Sequence, residues 1–81
     1  MQKSLQSAEY HRLIALLVAE RQKAGIRQHA LAKKLGKPQS FVAKYEGAER
    51  RLDVIEFIAI AEALGADPSK LFRLFLRGKS R

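Results

Sequence analysis

The chain has 81 residues, room for one small domain around a single core, and carries 16 Lys and Arg against 8 Asp and Glu for a formal net charge of +8. It contains no cysteine, which excludes a disulfide framework and a thiolate zinc site, and no apolar run approaches the roughly 18 residues of a membrane span. A small basic domain seeks polyanions, but charge alone suits DNA, RNA or an anionic membrane surface equally. The opening MQKSLQSAEYHR lacks the apolar centre of a signal peptide, so a cytoplasmic location is expected.

Residues 1–6 read as a flexible arm and 77–81 as a basic tail, with one domain over 7–76. Ser7 is placed to cap a first helix running through Lys23, with Tyr10, Leu13, Ile14, Leu17 and Val18 as its apolar stripe and Gly25 ending it. Gln28 to Leu35 sets Leu31, Ala32 and Leu35 on one face of a second helix that stops at Gly36. Pro38 opens a third, with Phe41, Val42 and Tyr45 turned inward. Asp53 and Glu56, three residues apart, form a reciprocal cap for a fourth helix carrying Val54, Ile55, Phe57, Ile58, Ile60, Ala61 and Leu64 before Gly65. Asp67 followed by Pro68 starts a fifth that ends near Leu76. Five helices without a strand pattern predict an all-α domain.

Two short helices joined at a glycine, over residues 28–46, have the layout of a helix-turn-helix that reads DNA. A short third helix braced on the second leaves its outer face free for a groove. On that face lie Gln39, Ser40, Ala43 and Lys44. Glutamine can bond bidentately to adenine, a serine hydroxyl donates or accepts, and lysine reaches phosphate or guanine. Gln39, Ser40 and Lys44 are therefore the expected base readers. Lys37 and, more weakly, Arg27 are candidate phosphate contacts.

The order of these signals resembles the lambda-repressor-like, or XRE-type, helix-turn-helix domains of phage repressors, Cro proteins and small bacterial regulators. The resemblance runs from about Tyr10 to Phe72. It rests on Arg21 four residues before Gly25, on AGI-x-Q-x-x-LA-x-x-LG through Gly36, on PQSFVAKYE and ERRLD, and on the A-x-ALG-x-DP of the last third. It implies that Gln28 touches a phosphate and braces Gln39. It also implies that Arg21 and Glu46 form a mostly buried, structural ion pair fixing the pose of the reading helix. Arg50 and Arg51 fall in the loop where the family's backbone approaches phosphate. Two positions depart from the pattern: Arg27 stands where Ser, Thr or Asn usually caps the second helix, a cap worth about 1 kcal/mol, and Pro38 stands where Ser or Thr often caps the third.

Leu71, Phe72, Leu74, Phe75 and Leu76 cover more of the last helix than one core stripe needs. Family members dimerise through this region, which implies a homodimer with Leu71, Phe72, Phe75 and Leu76 at the interface and two reading helices roughly 34 to 36 Å apart. His11 and His29 stand far apart without a Cys, Asp or Glu cluster, and no nucleophile triad, carboxylate pair or phosphate-cradling glycine loop occurs. No metal, cofactor or enzymatic activity is expected. The reading is a sequence-specific double-stranded DNA-binding transcriptional regulator, a repressor on a pseudo-palindromic operator. The alternatives are an antitoxin-type autoregulator whose apolar end holds a partner protein such as a toxin, and an adaptor that keeps the fold without specific DNA binding.

Overall fold

The computed structural model describes residues 7–78, which form five helices: α1 (Ala8–Lys23), α2 (Gln28–Leu35), α3 (Gln39–Glu46), α4 (Val54–Ala63) and α5 (Pro68–Arg77). The expected arm, 1–6, and residues 79–81 of the expected tail lie outside the described residues, and Arg77 closes α5 rather than opening a tail.

Local chemistry sets the helix ends. Ser7 accepts a hydrogen bond from the Tyr10 amide, Asp67 one from the Ser69 amide, and Asp53 and Glu56 form a complete capping box at the start of α4. The backbone bond from Ser69 holds the Asp67 carboxyl below the ordinary aspartate range. Arg27 and Pro38 occupy the N-cap positions of α2 and α3 without any side-chain cap bond, so the helix-turn-helix starts both of its helices uncapped. Gly36 turns the chain between them with a φ of 68°, a left-handed conformation cheap only for glycine.

The end of α3 is built differently. Gly47 keeps a negative φ, and a Cβ there would approach the Ala43 carbonyl oxygen to 3.2 Å, so glycine serves a close approach. Ala48 instead adopts the left-handed conformation, with a φ of 61°, costing about 1 to 2 kcal/mol for an L-residue. The Glu49 amide donates to the Lys44 carbonyl (2.8 Å) and the Ala48 amide to that of Tyr45 (3.0 Å), bonds that close the helix end. The Ala48 methyl is buried in the core.

α1 packs against α3, α4 and α5, α2 against α3 and α4, and α4 against α5. The core gathers Tyr10, Ile14 and Leu17 of α1, Leu31 and Ala32 of α2, Val42 and Tyr45 of α3, Phe57, Ile60 and Ala61 of α4, then Leu64, and Leu71 of α5. Phe41 packs at its edge, its ring meeting Tyr45 edge-on at 5.6 Å. Val54 and Ile55, in the apolar series of the fourth helix, are instead 70% and 73% exposed, because α4 turns Phe57, Ile60 and Ala61 inward and its first turn projects past the edge of the core. Beside them lies an open apolar groove of about 430 Å³, lined by Leu13, Leu52, Val54, Phe57, Ile58 and Phe72 among others.

Tyr45 is wholly buried, and its hydroxyl has no hydrogen-bond partner among the described residues. Burial pushes its pKa upward. An unpartnered buried hydroxyl adds nothing to stability that its ring does not already supply. Tyr45→Phe is therefore expected to keep or raise the denaturant midpoint, whereas Tyr45→Ala loses about 3 to 5 kcal/mol as the ring leaves a cavity. A Phe variant that unfolds markedly earlier would show that the hydroxyl is bonded.

Candidate nucleic-acid interface

A connected polar chain runs from the scaffold helix to the outer face of α3. Arg21 Nε donates to Glu46 Oε2 at 2.7 Å and Arg21 Nη2 donates to Glu46 Oε1 at 3.0 Å, a bidentate pair joining α1 to the last residue of α3. The remaining Arg21 nitrogen, Nη1, donates to the Ile26 carbonyl at 2.9 Å, fixing the turn before α2. Gln28 Nε2 donates to Glu46 Oε1 at 2.9 Å, and Gln28 Oε1 accepts from Gln39 Nε2 at 3.5 Å, the outer edge of hydrogen-bond range. The ion pair is largely shielded, the two side chains keeping 14% and 8% of their exposure. The bond to Glu46 raises the Arg21 pKa further.

On α3, Gln39, Ser40, Ala43 and Lys44 are all exposed and form one outward surface, opposite the buried Val42 and Tyr45. Gln28, half-buried at the start of α2, stands beside Gln39. Arg27 is exposed at the N-cap of α2.

The loop that follows α3 has its own anchor. Arg50 Nη1 and Nη2 donate to the two carboxylate oxygens of Glu56, each at 3.0 Å, and Nη1 also donates to the Arg51 carbonyl at 2.9 Å. The Arg50 guanidinium lies 4.8 Å from the centre of the Phe41 ring, and the Lys37 ammonium lies 5.3 Å from it. Tyr10 Oη donates to the Arg50 carbonyl at 2.8 Å, while the Arg51 guanidinium lies 4.6 Å over the Tyr10 ring. Burial raises the Tyr10 pKa, against the lowering influence of the Leu52 backbone and of the nearby cations Arg51 and Arg50. The Arg50 fork, then the backbone amide of Asp53, hold the Glu56 carboxyl below the ordinary glutamate range. Lys37, Arg50 and Arg51 thus stand together next to α3, but Arg50 is tied to a carboxylate. Sequence reasoning assigned Glu56 only to the helix cap and Phe41 only to the core. The signal available was a basic pair, Arg50 and Arg51, six and five residues before a glutamate.

At the far end, the expectation that Leu71 faces a partner is corrected: it is 3% exposed and belongs to the core, because α5 needs one residue per turn against α1 and α4. Phe75 is half-buried beneath Arg12, whose guanidinium lies 4.6 Å from the ring centre and whose Nη1 donates to the Phe75 carbonyl at 3.0 Å. Phe72 and Leu76, four residues apart on one flank, are 46% and 50% exposed, and Leu74 projects on the other. Among the described residues no three His, Cys, Asp or Glu gather in a metal-binding group, and no helix is long and apolar enough to cross a membrane.

Removing one partner of the shielded ion pair leaves the other without compensation. Arg21→Met is expected to cost about 3 kcal/mol in chemical denaturation, the low end for a buried pair because some exposure remains, and Arg21→Met combined with Glu46→Met should recover most of it. A single variant of unchanged stability would reduce the pair to a surface contact.

A helix-turn-helix family model matches residues 17–71. An XRE-family-like protein from Pseudomonas syringae pv. tomato is 48% identical over 90% of this chain and 89% of its own, with a TM-score of 0.87. The clp gene regulator ClgR from C. glutamicum shares the fold at a TM-score of 0.78, with 16% identity over 93% of this chain and 97% of its own. No curated protein matches the chain. With the helix-turn-helix spanning α2 and α3 and the likeness extending over nearly the whole chain, the protein belongs to the XRE-type, lambda-repressor-like helix-turn-helix family.

Proposed function

We propose that this protein, a DNA-binding transcription regulator by its family, is a repressor that inserts α3 into the major groove of a pseudo-palindromic operator as a homodimer. The observation that carries the reading is the polar chain from Arg21 through Glu46 and Gln28 to Gln39, which couples a base-reading side chain to the folded core. Gln39, Ser40 and Lys44 read bases from the exposed face of α3. Gln28, at the N-terminus of α2, and Lys37 and Arg51 beside α3 hold phosphates, aided by a net charge of +8, whereas Arg50 reaches one only where the phosphate outcompetes Glu56 for its fork. Repression follows from occupancy: a domain bound across a promoter denies the site to polymerase. No chemistry on a substrate is involved.

A second copy covers the flank of Phe72 and Leu76, which is continuous through Phe72 with the apolar groove beside Val54. Such a two-fold partner sets two α3 helices about one DNA turn apart, roughly 34 to 36 Å. Introducing charge at the exposed Phe72, as Phe72→Glu, is expected to give a folded monomer by sedimentation with weakened operator binding. A variant still dimeric would move the interface elsewhere.

Selection from a random duplex library at near-physiological salt tests the reading directly, and a two-fold symmetric motif is the expected result. No enriched motif would overturn sequence-specific readout. On the selected site Gln39→Ala is expected to cost about 1 to 3 kcal/mol while binding to random duplex hardly changes. Equal weakening on both would make Gln39 a positioning residue rather than a reader.

A further inference from the structure

Glu56 engages two groups at once. Its Oε1 accepts from the Asp53 amide at 2.9 Å, completing the α4 cap, and the same carboxylate grips the Arg50 fork through both oxygens. Arg50 is also held from its other sides, by the Phe41 ring below it and by the Arg51 carbonyl. Its neighbours across Phe41 and in the loop, Lys37 and Arg51, are cations, so Arg50 belongs to the positive patch beside α3 in position but not in net charge. A phosphate approaching this patch must compete with Glu56 for the fork and meets the carboxylate as a like charge. Bidentate arginine geometry fits carboxylate and phosphate equally well, so the two are direct rivals for one donor set.

We propose that Glu56 is an affinity-limiting positioning residue: it holds Arg50 in a preformed pose while withholding its charge from the DNA backbone. The inference rests on the DNA-binding reading above. The pair is partly solvent-exposed, the side chains keeping 41% and 20% of their exposure, so it is weak enough for a phosphate to contest. Its function is to keep sequence-independent binding low, so that discrimination rests on the exposed face of α3. The cost falls on affinity for all duplexes alike, because a phosphate contact carries no sequence information.

The test is a salt titration of binding to a random-sequence duplex, over a roughly sixfold range from about 50 to about 300 mM salt, with wild type, Glu56→Gln, Arg50→Gln and the double variant. Glutamine still accepts from the Asp53 amide, so the capping box survives, and a thermal melt of each variant checks the fold. Glu56→Gln is expected to bind about three- to fivefold more tightly at low salt, with a log–log salt slope steeper by about 0.9, one additional phosphate. The gain should shrink in the Arg50→Gln background. Unchanged affinity and slope in folded Glu56→Gln would overturn the proposal, and so would an equal gain in both backgrounds, which would reduce Glu56 to a repelling charge that does not act through Arg50. Should wild type bind no duplex at any salt, the DNA-binding reading itself falls and this inference with it. A merely structural Glu56 would lower the melting temperature and leave the slope alone.

Discussion

The ion pair between Arg21 and Glu46 is the constraint on which the reading element depends. One carboxylate, at the last residue of α3, takes three donors from two other elements: two from the Arg21 fork of α1 and one from Gln28 of α2. The third Arg21 nitrogen holds the turn that leads into α2. Four segments therefore share one polar node, and α3 cannot tilt without breaking a charge-assisted bond. Apolar packing alone would not impose this, since Val42 and Tyr45 give α3 only two fully buried side chains. An eight-residue helix is marginal by itself, so its pose is a tertiary property. A site on elements locked in this way is held more closely than one on a free loop.

The opposite end of the reading helix is fixed by different means. Gly47 permits a close approach, Ala48 accepts a left-handed backbone in exchange for burying its methyl, and the loop is then held by the Tyr10 hydroxyl and by Arg50 against Phe41 and Glu56. Backbone strain of this kind persists only where surrounding contacts over-determine it. Here the contacts come from α1, α3 and the first turn of α4. The loop is thus a packed connection between the reading helix and the rest of the core, with its cations presented on one side.

Most of the architecture was legible in the residues because local signals agreed with each other. Ser7, the Asp53 and Glu56 pair, and Asp67 with Pro68 each marked a helix start by side-chain chemistry that acts within three residues. Gly36 marked the turn because only its φ makes the turn cheap. The parts that were not legible depend on distance in space. Nothing local distinguishes Leu71, which enters the core, from Phe72, which leaves half its surface outside, since both are large and apolar and only the packing of α5 on α1 and α4 separates them. Val54 and Ile55, as apolar as Phe57 and Ile60, stay outside the core for the same reason. After α3 it is Ala48, not the glycine before it, that takes the left-handed conformation, because Gly47 serves through its lack of a Cβ instead. The partner of Arg50 lay six residues on, but choosing Glu56 over solvent or phosphate required the loop's actual path.

The proposed reading face of α3 divides into tethered and untethered positions. Gln39 hangs from the node through Gln28, whereas Ser40, Ala43 and Lys44 stand exposed on the same surface. Specificity in such a protein can drift by steps of very different size. Under the proposed function, exchanges at positions 40, 43 and 44 would change the base contacts without altering how the helix is held, so relatives would diverge in operator while sharing one scaffold. An exchange at position 39 reaches back through Gln28 to the carboxylate that orients the helix, and compensation at a second site becomes the natural accompaniment. The fold thereby separates a small editable alphabet from a letter it has tied to its own frame.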